Sequence, residues 1–242
     1  MIIRDTRGEI SARKRGNMAT KAQSVRHTRL NLRRLGLFVS IAVVSWCFWL
    51  TPALTPLKIF VVFIHEASHA LATVLTGGRV VSMVVTPWES GYVQSVGGSP
   101  LLIASAGYVG SALFGGVMLL LAGRQQWATV IFAGLALLFG MVTVCFVRHL
   151  FGIVFGLSTT AVFGILAWKR FPGAPYIIDI LAVMSSLYAL YDLSDFLLVG
   201  ARTDAVILAQ FTHVPAFVWA ILWSLVALLV VYSAGKRALT RP

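Results

Sequence analysis

Charged residues, and acidic residues in particular, are scarce in this 242-residue chain. Only 12% of its residues are charged and only eight are Asp or Glu, whereas 58% are hydrophobic and the mean hydropathy is +0.86. This composition excludes an ordinary soluble domain. Because apolar runs of about 20 residues recur along the chain, the sequence predicts an all-α polytopic membrane protein.

Cysteine is equally rare. The two cysteines, Cys47 and Cys145, lie far apart within apolar runs and have no metal-ligand spacing. This excludes a disulfide framework and a cysteine-based zinc site. We interpret both residues as packing residues that face lipid or the protein core.

The positive charge is concentrated at the N-terminus. Ten of the 20 Lys and Arg residues precede residue 35, opposed only by Asp5 and Glu9. Residues 1–34 have no apolar face to bury, so they are predicted to be a disordered, cytoplasmic segment that contacts anionic lipid headgroups. Nucleic-acid binding is not expected, because this segment contains no aromatic residue. Residues 35–233 are predicted to form one membrane domain and 234–242 a short basic tail.

The apolar runs predict about six to seven transmembrane helices. A polar interval between the second and third spans contains two β-branched stretches, residues 80–86 and 92–96, which predict a short β-hairpin. Seven spans would put the basic C-terminus opposite a cytoplasmic N-terminus, and the hairpin and the loop near Arg202 on the N-terminal side. The predicted spans are residues 35–54, 57–76, 100–122, 128–147, 150–168, 176–199 and 215–232.

The second predicted span contains the sequence His65-Glu66-Ala67-Ser68-His69. Two histidines four residues apart lie on one face of a helix, which suits two imidazole nitrogens that bind one zinc ion. Glu66 lies about 60° from His69 around the helix, so it can reach a water molecule at the metal without being a ligand. Ionisable residues within a membrane span cost free energy and are usually functional, which makes a chance match improbable.

A catalytic zinc usually takes a third protein ligand. His69 and Asp192 each precede a helix-ending glycine, Gly77 and Gly200, by eight residues. At 1.5 Å per residue, both side chains would lie about 12 Å below the same membrane surface. Because they would share this depth, we predict Asp192 as the third ligand. Asp195, one turn further on, is the alternative ligand or a partner of a histidine N–H. Glu89 is a further candidate, whereas His149 and Asp179 are predicted as interfacial residues and Asp204 and His213 as solvated or capping residues.

Several of these stretches resemble the site-2 protease class of intramembrane zinc metallopeptidases, and within it a small branch of bacterial and plant membrane metallopeptidases. The resemblance covers residues 57–223. It implies that His65, His69 and Asp192 hold one Zn²⁺ and that Glu66 activates water. The chain departs from the usual pattern in having Ser68 where glycine is common, no glycine after Asp192, no Asn-Pro segment before it and no inserted peptide-binding domain. The similar stretches are residues 63–72, 76–80, 105–111 and 188–193.

Three functions are consistent with these residues. The first is a zinc endopeptidase of the cell membrane that cuts a transmembrane segment of a membrane protein, with Glu66 as the general base. The second is a non-catalytic binding or assembly module that keeps the metallopeptidase fold. The third is a transporter whose ion or proton path uses the two histidines and Asp192. The first interpretation accounts best for the position of Glu66.

Overall fold

The computed structural model describes residues 31–121, 125–191 and 203–240. Within these ranges the chain forms eight α-helices and one two-stranded antiparallel sheet, so the predicted helical membrane fold with one hairpin is confirmed. In chain order the elements are α1 (Leu32–Cys47), a 3-10 turn (Pro52–Leu54), α2 (Thr55–Leu75), β1 (Arg79–Val85), β2 (Gly91–Val96), α3 (Pro100–Leu121), α4 (Gln125–Phe146), α5 (Leu150–Lys169), α6 (Ala174–Tyr191), α7 (Asp204–Thr212) and α8 (Ala216–Leu239).

Five of the described helices are long and apolar enough to cross a membrane: α2 with its preceding turn, α3, α4, α5 and α8. The first and sixth predicted spans correspond to shorter helices. Helix α1 has 16 residues and ends at Cys47, before the predicted end of its span. Helix α6 is apolar over Ala174–Tyr188. Cys47 and Cys145 are free and exposed, as expected for residues on a lipid-facing surface.

Helix α2 lies inside the bundle. The Phe63 ring stacks on Phe139 of α4 with centroids 4.1 Å apart, and the Phe60 ring contacts Phe139 and Phe163 of α5. Stacked aromatic pairs of this kind add free energy beyond simple burial, about 0.5–1.5 kcal/mol each. The helix ends at Leu75, and Gly77 two residues further on has a φ of 80°, which glycine adopts without strain. The histidine motif is therefore held in a buried, rigid element.

The two ends of the described chain meet. The backbone N–H of Asn31 donates to the carbonyl oxygen of Leu239 at 2.9 Å. Nearby, the Arg34 guanidinium donates to the carbonyl of Ala238 and forms a 3.4 Å ion pair with Asp179. The end of α8 therefore lies at the same end of the bundle as the start of α1, unlike the arrangement that a simple seven-span count predicts. Asp179 is buried in its ion pair with Arg34.

Contacts along the helices give their relative directions. Helix α2 runs antiparallel to α3, because His69 contacts Ile103 and Ser68 contacts Gly110. Helix α3 runs parallel to α8, since Trp223 bonds to Ser105 near the start of α3 while Gly116 packs on α8 further along. The hairpin joins the end of α2 to the start of α3. Its base consequently lies at the end of the bundle opposite to Asn31, and the prediction that it shares the N-terminal side is wrong.

The hairpin folds back along α2. Its observed strands differ by one residue at most from the predicted 80–86 and 92–96. At its tip Glu89, with a φ of 59°, accepts hydrogen bonds from Lys58 Nζ at 3.0 Å and Thr55 Oγ1 at 2.8 Å. Since Thr55 begins α2 and the hairpin base follows its end, the sheet covers the helix that carries the histidines.

Candidate metal centre

Three side chains converge beside α2. His65 and His69 lie one turn apart with ring centroids separated by 4.7 Å. One carboxylate oxygen of Asp204, Oδ2, is 3.1 Å from the Nε2 atom of each histidine. All three are largely buried, with 13%, 7% and 20% of their side chains exposed. The donor atoms of this cluster lie within 4.8 Å of one another, the arrangement needed to hold one metal ion.

Asp204 reaches the histidines because a different residue caps its helix. Thr203 is the N-cap of α7, and its Oγ1 accepts from the backbone N–H of Val206. Asp204, the next residue, is then free to direct its carboxylate across to α2. The prediction that Asp204 is a solvated or capping residue is therefore wrong. The Thr-Asp pair does mark a helix start, but threonine performs the capping.

The predicted third ligand, Asp192, and its alternative, Asp195, lie outside the described residues. The depth argument that selected Asp192 assumed one continuous span up to Gly200. Within the described residues, α6 reaches Tyr191 and a separate short helix begins at Asp204, which brings the carboxylate to the site. His149 and His213 do not join the described cluster.

The backbone of α3 orients one of the rings. His69 Nδ1 lies 2.6 Å from the carbonyl oxygen of Ile103. A carbonyl only accepts, so Nδ1 carries a proton, and Nε2, which faces the cluster, is the nitrogen that would bind a metal ion once it is deprotonated. One turn further along α3 stands Gly107. A Cβ at that position would overlap the Nε2 atoms of both histidines, so only glycine leaves the space in front of the donors open.

The electrostatic state of Asp204 also suits metal binding. Burial on its own raises the pKa of this carboxyl. The charge of His69 and the hydrogen bonds from both imidazoles act in the opposite direction and hold its pKa below the usual range. Asp204 is therefore a carboxylate at neutral pH, which is the protonation state that a metal ligand requires.

The geometry fits zinc. Zinc binds histidine nitrogen and carboxylate oxygen at about 2.0–2.1 Å in a tetrahedral arrangement, which puts neighbouring donor atoms about 3.3 Å apart. The two separations from Asp204 Oδ2 are both 3.1 Å. Two imidazoles and one carboxylate are also a donor set typical of catalytic zinc sites, which leave a fourth position for water or substrate.

Glu66 lies at the junction of two cavities. A cavity of about 200 Å³ is lined by His65, Glu66 and Asp204 together with the hairpin tip. A second cavity, of about 400 Å³, is lined by Glu66, His69 and Asp204 together with β2. Glu66 itself is 5% exposed, and Gly91 at the start of β2 packs directly against its side chain. The position predicted for the general base is thus open to a molecule in either cavity.

Sequence reasoning identified part of this site. The motif correctly predicted that His65 and His69 share one face, with Glu66 beside them. It gave no indication of Gly107, Gly91 or the Ile103 carbonyl, because their roles depend on which helices pack together. The small residues within 104–116 indicated that another helix packs closely there, but they did not indicate which side chains would lie against them.

Fold and site together define a multi-pass helical membrane protein with a His–His–Asp cluster arranged to hold a metal ion, adjacent to a buried glutamate. The chain belongs to the peptidase M50B-like family, the site-2 protease family, whose family model matches residues 38–234. Searches of curated proteins and of solved structures give no match. The resemblance inferred from the sequence is therefore confirmed, and membership assigns the chain to a group of membrane zinc metallopeptidases.

Proposed function

We propose that this protein is an intramembrane zinc endopeptidase that hydrolyses a peptide bond in or near a transmembrane segment of another membrane protein. The observation that carries the proposal is the convergence of His65, His69 and Asp204 beside Glu66, at the junction of two cavities. Metal binding alone needs only the three donors. The buried carboxylate next to them is what a hydrolytic reaction requires in addition.

Bound zinc would supply Lewis acidity, which polarises a peptide carbonyl and makes water more acidic. Glu66 takes a proton from the water that attacks the carbonyl carbon. It then delivers that proton to the amine nitrogen as the C–N bond breaks, so that water is added across the peptide bond. Burial of Glu66 between the two cavities keeps bulk solvent away from this proton transfer.

The hairpin offers a way to hold the substrate as an extended strand. In the described part of the chain, β2 pairs with β1 alone, whereas the other side of β1 is contacted by Val147 and by the Arg148 N–H, which donates to Met83. Four β2 residues line the larger cavity with Glu66: Gly91, Tyr92, Val93 and Ser95. A locally unwound segment that adds to β2 would satisfy its backbone groups and bring a peptide bond to the site.

The decisive experiment uses Glu66→Gln in the full chain, with His149→Gln at the exposed start of α5 as the matched control. Glu66 is not a ligand, so the variant should keep its zinc and its fold. The reaction rate should fall about 10²–10⁴-fold, the usual contribution of general-base catalysis. In cells an uncut single-span membrane protein should accumulate, and its identity would reveal the substrate.

The two alternative functions predict other results. A binding or assembly module predicts an unchanged membrane proteome and unchanged fragments in the Glu66→Gln strain. A transporter predicts that ion or proton flux, rather than cleavage, changes in that strain. Full retention of hydrolysis by purified Glu66→Gln protein would show that Glu66 is not the base.

We also expect the N-terminal basic segment to be cytoplasmic and to contact anionic lipid headgroups, with no role in nucleic-acid binding. Residues 1–30 lie outside the described residues, so this expectation rests on their charge alone. The exposed Lys236 and Arg237 at the end of α8 support it, because they lie at the same end of the bundle as Asn31. Both clusters then satisfy the positive-inside tendency.

A further inference from the structure

A small hydrophobic core separate from the main one lies directly behind the metal centre. It consists of buried residues from three helices: Ala104 and Tyr108 of α3, Ala205 and Leu208 of α7, and Trp223 of α8. Two of its members adjoin metal donors, because Tyr108 contacts His65 and Ala205 follows Asp204. This core therefore touches the site from two directions.

Aromatic contacts connect Trp223 to His65. The indole of Trp223 stacks on the Tyr108 ring, with centroids 5.0 Å apart and planes at 19°. Tyr108 in turn meets the imidazole of His65 edge-on, at 5.1 Å and 79°. Trp223 is 3% exposed, lines neither cavity, and donates its Nε1–H to Ser105 Oγ at 3.2 Å. It can act on the metal centre only through its neighbours.

The same face of α8 also secures the helix that carries Asp204. Helix α7 has nine residues, too few to be stable without tertiary packing. Leu208 packs in the small core with Trp223. At the other end of α7, Thr212 Oγ1 accepts a hydrogen bond from Trp219 Nε1 at 3.1 Å. The position of the Asp204 carboxylate thus depends on α8.

We infer that Trp223 is a positioning residue of the metal centre, which orients His65 through Tyr108 and holds α7, and with it Asp204, against α3. The inference rests on the proposed zinc site and extends it to a helix that contributes no donor atom. Groups that support metal ligands typically account for about 10–100-fold in metal affinity. Removing the indole should therefore weaken zinc binding although all three donors remain.

The test measures zinc affinity by chelator competition on the purified full chain, and the visible absorption of the Co²⁺-substituted protein. Trp223→Leu removes the stacking surface. Trp223→Phe keeps an aromatic face but loses the N–H. The matched control is Trp168→Leu, at an exposed tryptophan near the end of α5. Cobalt absorption reports ligand geometry, which a change in overall stability does not alter.

We expect Trp223→Leu to weaken zinc binding about 10–100-fold and to change the cobalt spectrum. Trp223→Phe should restore most of the affinity, and Trp168→Leu should match the wild type. Unchanged affinity and spectrum in Trp223→Leu would overturn the inference while leaving the zinc site intact. A wild-type protein that binds neither metal would instead overturn the proposed function.

A milder variant covers the case in which Trp223→Leu does not fold. Ser105→Ala removes the acceptor of the indole N–H and leaves the stack in place. The loss of one hydrogen bond should weaken zinc binding about two- to five-fold. If Ser105→Ala binds zinc with wild-type affinity and gives the wild-type cobalt spectrum, the orientation of the Trp223 indole does not matter to the metal centre and the inference is overturned.

Discussion

His69 donates its Nδ1–H to the carbonyl oxygen of Ile103 at 2.6 Å. This bond joins the helix that carries both histidines to the first turn of α3 and orients the ring so that Nε2 faces the other two donors. A backbone carbonyl cannot be removed by substitution, so this half of the site depends on the packing of two helices rather than on a side chain.

The first prediction concerns the ligand set. Wild-type protein should contain about one zinc per chain, and His65→Ala or His69→Ala should abolish it. Asp204→Asn should also lose zinc, because its carboxylate lies 3.1 Å from both imidazoles. Zinc content should be measured for Asp204→Asn and for Asp192→Asn. The comparison shows whether the third ligand is Asp204, as the structure indicates, or Asp192, as the sequence predicted. Loss of zinc in Asp192→Asn alone would contradict the assignment of Asp204.

Gly107→Ala should remove zinc without touching a donor. The added Cβ would occupy the space in front of both Nε2 atoms, and helix backbone cannot easily move away. Gly134→Ala is the matched control, because a Cβ at this helical glycine meets nothing within 4 Å. Metal content measured on both variants decides the matter. Normal zinc in Gly107→Ala would show that the two helices are further apart than described.

Gly91→Ala should separate metal binding from chemistry. Its Cβ would lie 2.7 Å from Glu66 Cγ and 2.9 Å from both Glu66 Oε1 and the Val84 carbonyl oxygen, so the Glu66 side chain or the adjoining hairpin backbone must move, and neither histidine is among its three nearest atoms. We expect zinc content to be retained and the reaction rate to fall towards that of Glu66→Gln, about 10²-fold or more. Gly164→Ala, which meets nothing within 4 Å, serves as the control. Full activity would argue against a catalytic role for this position of Glu66.

Lys58→Met should loosen the hairpin tip. Lys58 is buried and donates to the Glu89 carboxylate, and hydrogen bonds to charged groups contribute about 1.5–3 kcal/mol. Amide hydrogen exchange across residues 86–91 should therefore become at least about ten-fold faster, while exchange in α4 stays unchanged. Lys169→Met at the exposed end of α5 is the comparison. Equal protection of the hairpin in both variants would show that the ion pair does not hold it.

Residues near the two ends of the bundle should be accessible from opposite faces of the membrane. In a background without Cys47 and Cys145, a cysteine at Gln94 near the hairpin base should react from one side. Cysteines at Thr240 and Ser24 should react from the other. The reason is the Asn31–Leu239 hydrogen bond, which puts the start of α1 and the end of α8 at the end of the bundle away from the hairpin base. Labelling of Gln94 and Thr240 from the same face would contradict the helix directions described above.

The sequence by itself determined the class of fold and half of the site. Helix α2, the hairpin and the shared face of His65 and His69 all follow from local periodicity, glycine punctuation and four-residue spacing. The family resemblance was equally local, since it was carried by contiguous stretches around the motif. Such features depend on neighbouring residues, so they can be recognised before any packing is known.

Tertiary structure alone decided which carboxylate meets the histidines. Asp204 is 135 residues from His69 in sequence, and the depth count that favoured Asp192 treated the chain as a series of complete spans. The carboxylate that the structure describes beside the histidines comes instead from a nine-residue helix, capped by Thr203 and packed against α3 and α8, where the sequence predicted only a loop. The roles of Gly91 and Gly107 likewise depend on tertiary packing, because Glu66 packs against the first and both histidines against the second. Long-range packing sets these distances, and no periodicity within one segment encodes them.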